Sequence, residues 1–127
     1  MAKDVINPKG APPPSFPYSP GIRANGFVFV SGQVALDRQS GQVVGTDVAG
    51  QTRKVLENVR EVLEAAGSSL DKLVKTTVFL ADINQFQAMN DVYRELVPDP
   101  RPARSTIEAP LARPDLLVEI EAVALAD

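Results

Sequence analysis

Apolar and polar positions follow two different periods along the chain, and the changes between them lay out its elements. Residues 26–32, Gly-Phe-Val-Phe-Val-Ser-Gly, are a β-branched and aromatic run between glycines, which predicts a strand. Four consecutive apolar residues at 27–30 predict burial on both of its faces. Residues 33–36 continue extended. Residues 37–41 have the length and the glycine of a hairpin loop, and residues 42–44 form its returning segment. The period then becomes helical: Val48, Thr52, Val55, Leu56, Val59, Val62, Leu63 and Ala66 make one apolar stripe. Thr46 or Asp47 caps this helix, and Gly67 stands where a left-handed stop is needed. Arg53, Glu57, Arg60, Glu61 and Glu64 on the other side read as a solvated face.

Residues 73–81 predict a second strand, rich in Val and Thr. Asp82 or Asn84 starts a second helix, with Phe86, Met89, Tyr93 and Leu96 on one stripe and Pro98 at its end. Pro98, Pro100 and Pro102 stiffen the loop that follows. Residues 104–109 read as a strand, 110–114 as a turn and 116–125 as a long final strand. The resulting order, ββαβαββ, is an α+β arrangement with two helices on one face of a sheet. In the last strand Val118, Ile120, Ala122 and Ala124 alternate with Leu117, Glu119, Glu121 and Val123. Two helices cover only one sheet face, so the other leaves an apolar patch too large for a comfortable monomer. A homo-oligomer built sheet face to sheet face is the expectation.

The first twenty residues read as an extended arm, since six of the thirteen residues from 8 to 20 are proline. Phe16 and Tyr18 are the aromatic anchors expected to dock it on the body. The length of 127 residues predicts one domain, residues 1–127, with this arm at its start.

Composition narrows the chemistry. The chain has no Cys, no His and no Trp, which removes disulfides, a thiol nucleophile, a Ser-His-Asp triad and zinc-finger ligation. No metal site is expected. A net charge of −3, a pI of about 4.9 and scattered basic residues argue against nucleic acid as a partner. The longest uncharged stretches, residues 10–22 and 24–36, fall short of the roughly 18–20 residues that cross a bilayer. The N-terminus has no apolar core behind its basic residue, so it is not a secretory signal, and a cytoplasmic location is expected.

Three clusters carry candidate chemistry. Arg104 opens a strand after the proline-stiffened loop, where a guanidinium can clasp a carboxylate through two parallel hydrogen bonds. On residue type alone a surface ion pair is the favoured explanation. Glu119 and Glu121 stand two apart on one strand, hence on one face about 7 Å apart, and one of them can serve as general base for water. A solvated face explains them as well. Ser31 and Gly32 close the first strand, where a glycine permits close approach of a ligand or marks a bulge.

Taken together, these segments resemble the reactive intermediate deaminases, the RidA or YjgF family. The matching stretches are Pro17-Tyr18-Ser19, Phe29-Val30-Ser31-Gly32-Gln33, Leu63-Glu64-Ala65-Ala66-Gly67 and Val74 through Leu80. They continue with Phe86 to Asn90 and Tyr93, then Pro102-Ala103-Arg104-Ser105, and end with Val118 through Ala124. The likeness runs over about residues 17–125, and Pro-Ala-Arg-Ser followed by Glu-Ile-Glu-Ala is its most specific pair of motifs.

The resemblance implies a chorismate-mutase-like fold, ββαβαββ, assembled as a homotrimer with sheets inward, helices outside and ligand clefts between subunits. It implies hydrolysis of 2-imino acids and their enamine tautomers, such as 2-iminopropanoate and 2-iminobutanoate, to 2-keto acids and ammonia, with no cofactor. Carried over by position, Arg104 binds the substrate carboxylate, helped by the backbone at Thr106, with Asn90 at the edge of the site. Glu119 positions or activates water, Tyr18 closes the cleft from the arm, and Ser31 and Gly32 line it near the imine. Two positions depart from the family's pattern: Thr106 replaces a common Cys, and the proline of the turn at 110–114 is displaced, which bears on pocket shape. A 2-keto-acid-binding or regulatory protein of the same fold, and a deaminase for another substrate such as 2-aminomuconate, are the alternatives. An endoribonuclease reading, attached to some members of the family, is weak for a chain with this charge and no His.

Overall fold

The computed structural model describes residues 2–126. Six strands form one mixed sheet: β1 (Asp4–Ile6), β2 (Gly21–Ala24), β3 (Phe27–Val34), β4 (Leu73–Leu80), β5 (Ala103–Glu108) and β6 (Val118–Leu125). Helices α1 (Val48–Ala65) and α2 (Phe86–Leu96) complete the fold, with short 3₁₀ turns at Leu70–Lys72 and Ile83–Gln85. The spatial order is β1-β2-β3-β6-β4-β5, with β4 and β5 parallel and every other neighbouring pair antiparallel.

The helices form where the 3.6-residue pattern places them. The Asp47 carboxylate accepts from Gly50 N, and Gly67 ends α1 with φ of +80°. Every residue of the expected stripe from Val48 to Ala66 is buried. The charged side of α1 is solvated as expected and carries surface ion pairs: Arg53 pairs with Glu95 of α2, and Arg38 reaches Glu61. In α2, Met89 and Tyr93 are buried whereas Phe86 is 39% exposed.

The start of the chain differs from expectation. The hairpin predicted across residues 37–41 closes through a single bridge, Leu36 to Val43, so residues 42–44 are not a strand. The strands preceding α1 are instead β1, β2 and β3, and the element order is βββαβαββ. The arm is tied down by backbone: β1 pairs with β2, and Ser31 N donates to Pro20 O at 2.9 Å. Pro8 and Pro20 are buried, yet Phe16 is 74% and Tyr18 54% exposed. The aromatic rings are therefore not the anchors of the arm.

The core lies between α1, α2 and one face of the sheet, where Val28, Val30, Val78, Leu80, Val118, Ile120, Ala122 and Ala124 are all buried. The alternate residues face away from both helices, as strand geometry requires. Phe29 and Val123 are paired on that second face, as are Phe79 and Glu119, with Leu125 and Ile107 beside them. Phe29 is 46% exposed, so the burial expected on both faces of residues 27–30 is met on one face only.

Two buried amides tie the loops to α1. The Gln51 amide donates to Gly45 O and Asp115 O, and its Oε1 accepts from Leu117 N. Asn58 donates to Val34 O and Leu36 O. Replacing Gln51 with Leu strands three backbone groups, two of them bonded at 2.8 Å. The expected cost is about 2–4 kcal/mol by chemical denaturation. A change under about 0.5 kcal/mol would show that the amide only fills space.

Candidate active site

The residues singled out in the sequence fall into two groups on opposite sides of the sheet. The first gathers on the uncovered face around an irregularity in β3. Val30 pairs with Ala122 and Gln33 with Ile120, so β3 takes three steps where β6 takes two. The extra residue is a bulge that leaves Ser31 and Gly32 outside the ladder. Arg38 holds Gln33 Oε1 at 2.8 Å while Gln33 Nε2 donates to Ser31 O, so the bulge has a fixed polar brace.

Glu119 sits in register between Val34 of β3 and Phe79 of β4. Its carboxylate lies directly over Gly32: a Cβ on that glycine would overlap Glu119 Oε2. Gly32 is therefore required by the carboxylate and not by its own backbone angles. Burial pushes the Glu119 carboxyl above the ordinary carboxylate range, and the neighbouring Glu121 pushes it further. Ser31 Oγ donates to Ser19 O at 2.5 Å, which fixes the arm beside Tyr18. Tyr18 stands with Phe16, Gly32, Gln33 and Val34 along a groove of about 250 Å³.

The second group belongs to the side of β5 that faces α2. Arg104 pairs in register with Thr76, and its guanidinium lies 4.8 Å from the Tyr93 ring centroid and 5.6 Å from that of Phe86. Two aromatic faces hold the cation without consuming its N–H donors. Tyr93 is itself anchored by a 2.6 Å hydrogen bond with the buried Thr76 hydroxyl. Burial pushes the Tyr93 phenol above its usual value, so it stays neutral beneath the guanidinium. Among the described residues no carboxylate pairs with Arg104. Asn90 and Arg104 line a pocket of about 260 Å³. Thr106, two residues along β5, has a buried hydroxyl with no hydrogen-bond partner among the described residues.

The structure thus brings Tyr18, Ser31, Gly32 and Glu119 together, and separately Asn90, Arg104 and Thr106. It does not bring Arg104 and Glu119 together within one chain. Strand alternation forbids it, because Arg104 shares the face of Thr76 and Ala122 whereas Glu119 shares that of Phe79. Sequence reasoning missed the aromatic seat of Arg104, since Phe86 and Tyr93 there read only as a helix stripe. The spacing of Tyr93 three residues after Asn90, on a helix packed against the arginine's strand, was the available signal.

Comparison with known proteins places this geometry. The family described as Endoribonuclease L-PSP matches residues 8–126. The chain is 43% identical over 124 residues to the 3-aminoacrylate deaminase RutC of Acinetobacter baylyi, covering 98% of each. Among solved structures it is similar to YyfA of Yersinia pestis, described as a member of the conserved Rid protein family. The TM-score is 0.88 at 42% identity, covering 98% of this chain and 99% of that one. It is also similar to TdcF of E. coli with bound serine, with a TM-score of 0.85 at 35% identity, covering 96% and 98% respectively. Since the match takes in all six strands but β1, both helices and both residue groups, the chain belongs to the Endoribonuclease L-PSP family, that of the YjgF, RidA and RutC proteins.

Proposed function

We propose that this chain is a cytoplasmic, cofactor-free hydrolase that deaminates 2-imino acids and their enamine tautomers, such as 2-iminopropanoate and 2-iminobutanoate. It works as a homotrimer. Each cleft joins Arg104, Asn90 and Thr106 of one protomer to Tyr18, Ser31, Gly32 and Glu119 of the next. The observation that carries this reading is the seating of Arg104 on Tyr93 and Phe86 with no acidic partner among the described residues, which leaves its fork open for a carboxylate. The apolar face bearing Phe29, Val123 and Leu125 supports a sheet-to-sheet assembly. A relative named for deaminating 3-aminoacrylate, an enamine carrying a carboxylate, supports the reaction class. A structural neighbour holding serine supports an amino-acid-sized ligand.

The chemistry needs little beyond positioning. Arg104 fixes the carboxylate, which places C2 of the protonated imine at the cleft centre. Glu119 accepts a proton from water as the water oxygen bonds to C2, and the C=N π pair moves to nitrogen. The resulting carbinolamine takes a proton on nitrogen and loses one from its hydroxyl. The C–N bond then breaks to release ammonia, and the oxygen lone pair forms the keto C=O. Gly32 leaves the space in which the carboxylate of Glu119 rests.

Arg104→Ala is expected to lower kcat/KM at least a hundredfold. The assay generates 2-iminobutanoate with an amino-acid oxidase and follows its trapping by semicarbazide. Wild-type protein that fails to suppress trapping of any 2-imino acid would refute the deaminase reading. Gly32→Ala is expected to displace Glu119 and cost at least tenfold in kcat with Tm nearly unchanged, since only a mobile side-chain end must move. Full activity in that variant would remove Glu119 from the reaction.

The pH dependence has a definite sign. Glu119 must be ionised to accept a proton, and its raised pKa means that kcat/KM falls on acidification at a pH above the ordinary carboxylate value of 4.5. Glu121→Gln removes one of the two causes, so the acid limb is expected to move to lower pH. A limb that stays in place would show that Glu119 is not the group titrating.

A further inference from the structure

The pocket beside Arg104 carries more positive charge than one carboxylate requires. Its lining includes three guanidinium side chains, Arg94, Arg101 and Arg104, with Asn90, Tyr93 and Pro102, and no acidic residue. This concentration occurs in a chain whose net charge is −3. The three arginines are held differently. Arg104 is stacked on aromatic faces. Arg101 donates to Val97 O and Arg94 O at the end of α2 and lies 3.4 Å from Asp99. Its three nitrogens are thus engaged within the chain. Arg94 stands one turn beyond Asn90 on α2, and its side chain has no hydrogen bond or ion pair among the described residues. A pocket of about 260 Å³ accommodates a small acid of several carbons.

We infer that the preferred substrates bear a second anionic group at the end of the side chain, making them 2-imino dicarboxylates, with Arg94 receiving the distal carboxylate. The inference rests on the proposed role of Arg104 for the first carboxylate but not on turnover. Arg94 has no counter-charge among the described residues, whereas Arg101 already has Asp99, and a dianionic ligand supplies Arg94 with a charge-assisted partner. A monocarboxylate would leave Arg94 solvated and gain nothing from it.

The test uses two stable keto acids of equal chain length, 2-oxopentanedioate and 2-oxopentanoate, titrated calorimetrically into the wild-type protein. The dicarboxylate is expected to bind at least about tenfold more tightly, the scale of one added charge-assisted hydrogen bond. In Arg94→Gln the ratio of the two affinities is expected to collapse toward one, and Arg94→Lys is expected to restore part of it. Equal affinity for both acids in wild type, or a ratio insensitive to Arg94→Gln, would overturn the inference. A change of assembled mass in Arg94→Gln, followed by light scattering, would overturn it too by assigning Arg94 to contacts between copies. Failure of the deaminase reading shows separately: both acids bind with the expected preference while neither parent imine is hydrolysed.

Discussion

The period-two geometry of the strands, combined with helices on one face only, determines what this chain can do alone. Residues that alternate along β5 and β6 are sent to opposite sides of the sheet. The arginine that suits a carboxylate is therefore on the helix-covered side, and the glutamate that suits a water is on the bare side. No rotamer of either side chain carries it through the sheet. The apolar side chains that surround Glu119, Phe79 in register with it and Val123 and Leu125 farther along the strands, share its face and need cover of their own. In the assembly proposed above, a second copy laid against that face would supply both the missing cover and the other half of the proposed site.

Each of the two residue groups is held in place by its neighbours. On one side Thr76 fixes the Tyr93 hydroxyl and the Tyr93 ring supports the guanidinium, so Arg104 is oriented without an acid that would compete for its donors. On the other side Arg38 braces Gln33, Gln33 braces the bulge at Ser31, and the absent side chain of Gly32 leaves room for the Glu119 carboxylate. The raised pKa of that carboxylate is the electrostatic counterpart of its burial, and it makes the group a better proton acceptor when ionised.

Much of this was legible in the residues. The stripe from Val48 to Ala66 identified α1 and its buried side because a long helix repeats its period five times. Glu119 and Arg104 drew notice through residue type and motif. The strands β1 and β2 were not legible: they are three and four residues long, and Asp4 and Arg23 interrupt any apolar pattern. They exist because β3 offers a ladder to an adjoining segment, which is a tertiary cause. The segregation of Arg104 from Glu119 was equally hidden, since it depends on the register of β4 with both β5 and β6. At Ser31 and Gly32 the residues alone fit either a bulge or a close ligand approach, and the structure shows a bulge that also cradles the Glu119 carboxylate.

The claim that a cleft is shared between copies is tested most directly by mixing two inactive proteins. Arg104→Ala and Glu119→Ala each spoil a different half-site, so co-refolding them in equal amounts creates clefts in which both halves are intact. Random assembly into a closed ring leaves about one quarter of the clefts whole, and the mixture is predicted to regain about that fraction of wild-type imine hydrolysis. A mixture no more active than its separate components, under conditions where wild-type subunits refold to full activity, would contradict the account.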